Sequence, residues 1–349
     1  METLERASPR VRFADAQIEM AHGAGGKASR RLVEGLFVPL LANPILETLS
    51  DSAVSPFNGA KLATTADGYV VRPLRFPGGS IGELAVNGTV NDLAVAGARP
   101  LGLMAAFILE AGLAGDALRA EIEAMAAAAA RAGVAVVGGD TKVVEHGLAD
   151  GMYVATFGFG EVDPRARLGP SHVREGDRVL LSGPIGDHGI TILLARGELD
   201  LEADLESDTR SVAPFAQALL AAAGDALHWM RDPTRGGVAT ALNELVRGNP
   251  FGIALAEESI PLRDEVRGAC EILGLDPLHI ANEGQLLAVV AADAADGALA
   301  AMRAVPGGER ATCIGEVRAR PAGTVLAANG YGGSRIVDML VGDPLPRIC

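Results

Sequence analysis

The last residue of the chain is a cysteine. Cys349 ends the segment Asp338–Cys349, in which Pro344 and Pro346 remove backbone donors and hold the chain extended. Those residues reach at most about 40 Å, enough to cross the face of a domain. The segment reads as a thiol on a tether or as a frayed end with an incidental cysteine. The other side chains able to do chemistry are carboxylates, Asp51, Asp67, Asp92 and Asp140 in apolar or small surroundings and Glu283 at a strand entrance. Taken singly, such residues are often turn formers or solvated strand ends. Asp92 differs, because Asn87 and Asn91 stand beside it in an otherwise apolar helical stretch, where all three are costly to bury without partners. Asp140 and Lys142 share a side if their valine-rich run is extended, as a salt-bridged strand end or as a metal ligand beside a cation that faces phosphate. Hard oxygen ligands suit Mg²⁺, so the set points to Mg²⁺–nucleotide chemistry without naming a reaction.

Loops and short elements must bring these groups together. HGAGGK (His22–Lys27) precedes a helical stretch over 30–41, but Ala21 and Ala28 stand where a phosphate-binding P-loop needs Gly and Ser or Thr. It is a flexible turn or a weak anion cradle. Strands are predicted over 49–54 and 62–70 around the Asn58-Gly59 turn, and a helix over 81–96 that Gly97 terminates. A second helix spans 116–131, closed by Gly133, and a strand follows over 134–144. Residues 161–175 break the pattern as a domain boundary. The second half opens with a strand that runs into the glycine turn Gly183–Gly189, where His188 reads as structural. Residues 198–210 read as an acidic loop. Arg231–Val238 leads into a helix, and Ala281–Gly284 precedes a strand over 285–292, with Glu283 a candidate acid or base at its entrance.

Composition sets the frame. The chain has 349 residues, 49% of them apolar, which suits two domains with full cores. Its formal charge of −14 argues against a nucleic-acid or anionic-membrane surface. No apolar run approaches a membrane span, and residues 1–19 read as a mobile leader without an apolar signal core. Cys270, Cys313 and Cys349 are too widely spaced for a disulfide framework or a zinc site, so a reducing cytoplasm is expected.

The ordered strings HGAGGK (22–27), TADGYVV (65–71), FPGGSIGELAVNGTVNDLAV (76–95), GGDTKVV (138–144), SGPIGDHG (182–189), RDPTRGG (231–237), ANEG (281–284) and the terminal PRIC (346–349) resemble the HypE family of hydrogenase maturation carbamoyl dehydratases. That family lies in the ATP-binding superfamily of aminoimidazole ribonucleotide synthetase, selenophosphate synthetase and thiamine-monophosphate kinase. The resemblance implies an α+β, two-domain fold: a leader and glycine loop over 1–48, an ATP-binding and dimerisation domain over 49–165, a second α+β domain over 166–335 and a mobile tail over 336–349. It implies a homodimer through the N-terminal sheets, with ATP and Mg²⁺ as cofactors. It also implies that a carbamoyltransferase, HypF, loads Cys349 and that the cyano group passes to a HypC–HypD scaffold. By motif, Asp51, Asp67, Asp92 and Asp140 would hold the metal and the phosphates. Gly25, Gly26, Lys27, Asn91, Asp232, Thr234 and Arg235 would line the nucleotide site, and Cys349, Lys142 and Glu283 would carry the chemistry. Rival readings are another ATP-dependent enzyme of the superfamily, such as a selenophosphate synthetase or a small-molecule kinase, and a non-catalytic adaptor.

Overall fold

The computed structural model describes residues 12–23, 26–41, 43, 45–197, 203–342 and 345–349. The predicted site residue Gly25, the tail residues Asp343 and Pro344, most of the expected leader and part of the acidic loop fall outside them.

The first half runs α1 (Lys27–Leu32), a π turn, α2 (Val38–Leu41), β1 (Ala53–Phe57), β2 (Ala60–Tyr69), β3 (Arg75–Phe76), β4 (Gly79–Ser80), α3 (Ile81–Val95), β5 (Ala98–Glu110), α4 (Gly115–Ala132), β6 (Val136–Val144) and β7 (Met152–Val162). The sheet order is β1-β2-β7-β5-β6, with β5 and β6 parallel and the other pairs antiparallel. Asn58 (φ 47°) and Gly59 (φ 83°) make the two-residue turn whose twist matches its hairpin. β1 begins at Ala53 rather than at Leu49, so Asp51 sits on the bend before the strand. Apolar residues surround α3 on every side, and a helix with no polar face has to be covered on all of them. It packs on β2, β7 and β5 below, on α4 beside it, and on α6 and β9 of the other half.

The second half runs β8 (Arg178–Leu181), α5 (Asp187–Ala195), α6 (Ala213–Ala223), β9 (Leu227–Arg231), α7 (Gly237–Val246), β10 (Gly252–Ala256), α8 (Asp264–Leu273), β11 (Leu287–Val290), α9 (Ala295–Arg303), β12 (Thr312–Arg318), β13 (Val325–Ala328) and β14 (Ser334–Val337). Its mixed sheet has the order β14-β13-β10-β12-β8-β11-β9. Successive strand residues face opposite sides: Leu180, Ala288 and Met230 join the core of α3, α6 and α9, whereas Val179, Leu181, Leu287 and Val289 pack with α7. The first of these cores is continuous from the first sheet to the second, so the halves are held as one body.

The chain end differs from the expected mobile arm. β14 pairs with β13, and Met339, Leu345 and Ile348 are buried. The backbone amides of Val70 and Arg72 donate to the carbonyls of Cys349 (3.0 Å) and Arg347 (3.3 Å), so the last residues lie antiparallel to the segment after β2. These three apolar anchors and the main-chain bonds offset the ordering cost that frees most termini.

Candidate active site

Three elements meet at the cleft between the halves. Asp51 precedes β1, Asp92 lies in the last turn of α3, and Asp232 follows β9. One carboxylate oxygen of each lies within 4.8 Å of the others. The Thr65 hydroxyl is 2.7 Å from Asp92 Oδ2 and 2.9 Å from the Asp51 carbonyl, and Ser52 Oγ donates to the Asp92 carbonyl at 3.0 Å. Asp67, on the same face of β2 as Thr65, accepts from Tyr69 Oη and from the Gly68 amide, each at 2.9 Å. Arg231 is the cation at this cluster, 3.0 Å from Asp51 and also 3.0 Å from Glu244. One guanidinium shared with Glu244 does not balance the aspartates. Burial, and then the neighbouring carboxylates, raise Asp51, push Asp92 well above the carboxylate range and bring Asp232 to about 7. A crowded set of hard oxygens whose protons are held this tightly fits a divalent cation with bound phosphates. Asp232, predicted as a nucleotide contact, is therefore a member of the candidate metal set.

Asp140 does not join this set within one chain. It pairs with Ala106 of β5, and Lys142 with Ile108, which places both on the outer face of the first sheet. Asp67 points to the inner face, toward α3. Gly139 is three strand steps from Asp67, about 14 Å at the usual inter-strand spacing. β6 is the sheet edge, and Lys142 Nζ contacts Asp140 Oδ2 at 2.6 Å in an exposed pair. The period of two places Asp140 and Lys142 side by side, but which face of the sheet they occupy depended on register with β5, which adjacent sequence does not carry.

Glu283 is 3% exposed, and among the described residues its Oε1 has no hydrogen-bond partner. Burial, with Asp67, Asp208 and Asp232 nearby, pushes its carboxyl well above the ordinary value, and Arg235 is the cation that pulls the other way. Asn282 places it: its Oδ1 accepts from the Gly186 amide at 2.8 Å and its Nδ2 donates to the Pro233 carbonyl at 2.8 Å, tying two loops to the start of Glu283. The Arg231–Gly237 loop turns into α7 through Gly236 (φ 75°) and Gly237 (φ 60°), where a Cβ would strike Thr240 and the Leu278 carbonyl. Thr234 closes that turn by accepting from the Gly237 amide at 2.8 Å, and Arg235 donates to the Gly23 carbonyl at 2.6 Å.

Three predicted nucleotide contacts have other occupations. Asn91 donates to the carbonyls of Arg210 (3.0 Å) and Glu283 (3.4 Å) and accepts from the Val212 amide (2.7 Å), so its amide stitches α3 to the second half. A buried amide among backbone groups is used by them first. Gly26 and Lys27 face the chain end. A Cβ on Gly26 would meet the Leu340 carbonyl at 2.4 Å, the Lys27 amide donates to that carbonyl, and Lys27 Nζ contacts Asp338 at 2.6 Å. Gly26 also borders a cleft of about 830 Å³ that runs from Asp51 and Arg231 past Arg30, Glu34 and Trp229.

Sequence reasoning passed over Asp208, Tyr69 and the function of His188. Asp208 Oδ1 accepts from the Glu283 amide at 3.0 Å but falls in a stretch with no motif or period. His188 is fully buried, with Nε2 2.7 Å from the carbonyl of Ile348. Cys349 is thereby seated where β2 ends, about 10 Å of extended backbone from Asp67.

Residues 49–162 match the family described as AIR synthase related protein, N-terminal domain, and residues 174–327 match its C-terminal domain. The two sheets and the carboxylate-lined cleft between them thus define an AIR synthase related protein. Carbamoyl dehydratase HypE of Azotobacter vinelandii is 49% identical over 340 residues, covering 97% of this chain and 99% of its own. The crystal structure of a HypE–HypF complex superposes with a TM-score of 0.84 at 41% identity, over 88% of this chain and 99% of that one. That of hydrogenase maturation protein HypE in complex with ATP gives 0.79 at 44% identity, over 95% and 99%. The chain belongs to the HypE family of carbamoyl dehydratases.

Proposed function

We propose that the chain converts a carbamoyl group carried as a thiocarboxamide on Cys349 into a thiocyanate at the expense of ATP, as a step in making the cyano ligand of [NiFe]-hydrogenase iron. The observation that carries this reading is the seating of the terminal cysteine at the end of β2, the strand that also carries Asp67 beside the cluster of Asp51, Asp92 and Asp232. The relatives with HypF and with ATP bound support HypF as the loading partner and ATP as the co-substrate. Delivery to a HypC–HypD scaffold and a cytoplasmic setting follow from the family's role. The described residues contain no helix long and apolar enough to cross a membrane.

Asp51, Asp92 and Asp232, with Asp67 alongside, would hold Mg²⁺, which offsets phosphate charge when bound. The carboxamide oxygen takes the γ-phosphoryl group from ATP, forming a P–O bond as ADP leaves. The C–O bond then breaks with loss of phosphate as C≡N forms. Of the two N–H protons released, Glu283 accepts one and the other leaves with the phosphate. A carboxyl with raised proton affinity suits abstraction from a weakly acidic N–H.

Asp140 and Lys142 enter through a second copy. The outer face of the first sheet leaves Phe57, Met104, Ile108 and Phe157 exposed, an apolar patch next to Lys142. Pairing of two such faces in a homodimer would bury the patch and offer Lys142 of each copy to the other's cleft. The reading is tested by the intact mass of the C-terminal peptide after incubation with the carbamoyltransferase, carbamoyl phosphate and ATP. Carbamoyl gain followed by loss of water is expected, with Cys349→Ala inert. A tail that never gains the group, or gains one that ATP cannot convert, overturns it.

A further inference from the structure

The peptide that joins Ile348 to Cys349 is held from one side by a single buried ring. His188 Nε2 lies 2.7 Å from the Ile348 carbonyl, and Nδ1 lies 2.7 Å from Ser207 Oγ. A carbonyl has no hydrogen to give, so Nε2 donates. In the neutral ring Nδ1 then accepts, and the Ser207 hydroxyl donates to it. Ser207 is itself fixed, its amide donating to the Pro77 carbonyl at 2.9 Å and its Oγ accepting from the Thr209 amide at 3.1 Å. Phe76 meets the imidazole edge-on at 5.6 Å. Ser207 and Phe76 thus fix the ring orientation, and the Ile348 carbonyl selects the tautomer. Burial lowers the imidazole to about 4, which keeps that tautomer neutral at physiological pH.

Other ties to the chain end are of a different kind. Arg196 donates to the Pro346 and Arg347 carbonyls and Arg347 pairs with Asp150, in each case from a partly exposed side chain. The His188 contact combines full burial of the donor with an acceptor one peptide from the reactive residue. If the chain end leaves, Nε2–H loses its acceptor, which favours return of the tail.

We propose that His188 is a positioning residue for the dehydration: it latches the Ile348–Cys349 peptide so that the group carried on the thiol stays in the cleft with Glu283. The bond is to backbone, so it persists whatever Cys349 carries, and it leaves the cysteine side chain to rotate about its own torsions. The assignment rests on the function proposed above for Cys349.

The test uses the full chain and His188→Phe, which retains the ring packing but not the donor. One readout needs no chemistry: hydrogen exchange at the amides of Val70 and Arg72, which end on Cys349 and Arg347. The other is the single-turnover rate of nitrile formation from the carbamoylated protein. His188→Phe should speed exchange at both amides about tenfold and slow nitrile formation by a similar factor, the worth of one buried hydrogen bond. Carbamoyl loading and the KM for ATP should not change, and His188→Gln, which can present an amide N–H near the place of Nε2, should recover part of the loss. Unchanged exchange and rate overturn the latch, as does an equal fall in loading and ATP affinity, which would mark general damage. If His188→Phe does not fold, Ser207→Ala carries the same test with an effect of about two- to threefold, since the ring then loses its tautomer partner. A wild-type chain that forms no nitrile overturns the proposed function, and the exchange readout still decides the latch.

Discussion

Replacing Asp232 by asparagine should stabilise the nucleotide-free protein and remove its response to Mg²⁺–ATP. Asp232 is buried against Asp51 and near Asp67, and its carboxyl is raised from 3.8 to about 7. At 1.36 kcal/mol per pKa unit, keeping it ionised costs roughly 4 kcal/mol. The folded value lies above the unfolded one, so the contribution is fully present below about pH 4 and is lost as pH rises through about 7. The amide of the variant would carry no charge, while Arg231 retains Asp51 and Glu244 as partners. With relaxation and water entry recovering about half the cost, Asp232→Asn should gain about 2 kcal/mol at pH 8 and only about 0.5 kcal/mol at pH 4.5. For a chain of this size that is an upward shift in Tm of about 4 °C or less. Mg²⁺–ATP at a hundred times its Kd should add about 2.7 kcal/mol to the wild type and little to the variant, reversing their order. Thermal melts at both pH values, with and without Mg²⁺–ATP, decide the matter. A variant less stable than wild type at pH 8 without nucleotide, or one that gains as much from Mg²⁺–ATP, would refute the crowded-carboxylate account.

Three further outcomes follow from the same geometry. Glu283→Gln should slow nitrile formation by about a hundredfold or more while leaving carbamoyl loading intact, as seen by mass. If Lys142 serves the second copy's cleft, Lys142→Ala and Glu283→Gln chains that are inactive alone should recover about one quarter of wild-type activity when mixed as dimers, because one site in each mixed pair is intact; no recovery would place both residues in one copy's site, and Phe157→Asp should lower the dimer fraction in sedimentation. His188, held neutral with its value lowered to about 4, removes stability as pH falls from about 6.5 toward 4, by roughly 3 kcal/mol in full; urea midpoints across that range should be flatter for His188→Phe.

Much of the local structure was legible. The Asn58-Gly59 hairpin, the α3 helix ending near Gly97, the α4 helix closed by Gly133 and the Gly236-Gly237 entry to α7 each rest on neighbours in sequence, where turn chemistry and period act. β5 and β7 carried no such signal, because strands covered on one face by α3 and paired along both edges owe their form to pairing. Asn91 was read as a ligand because an amide in an apolar helix is costly. The cost is real, but backbone of the second half meets it.

By itself the amino-acid order determined the family, the oxygen-rich chemistry of the aspartates and the presence of a terminal thiol, since motif identity and side-chain type are properties of the chain. Tertiary structure decided three things that depend on distant segments. It put Asp232 in the candidate metal set, because β9 ends beside α3 and the bend before β1. It placed Asp140 and Lys142 on the outer face, because strand register selects the face. It turned the end of the chain from a tether into a seated segment whose last peptide meets His188, because Leu345 and Ile348 are buried against the folded halves.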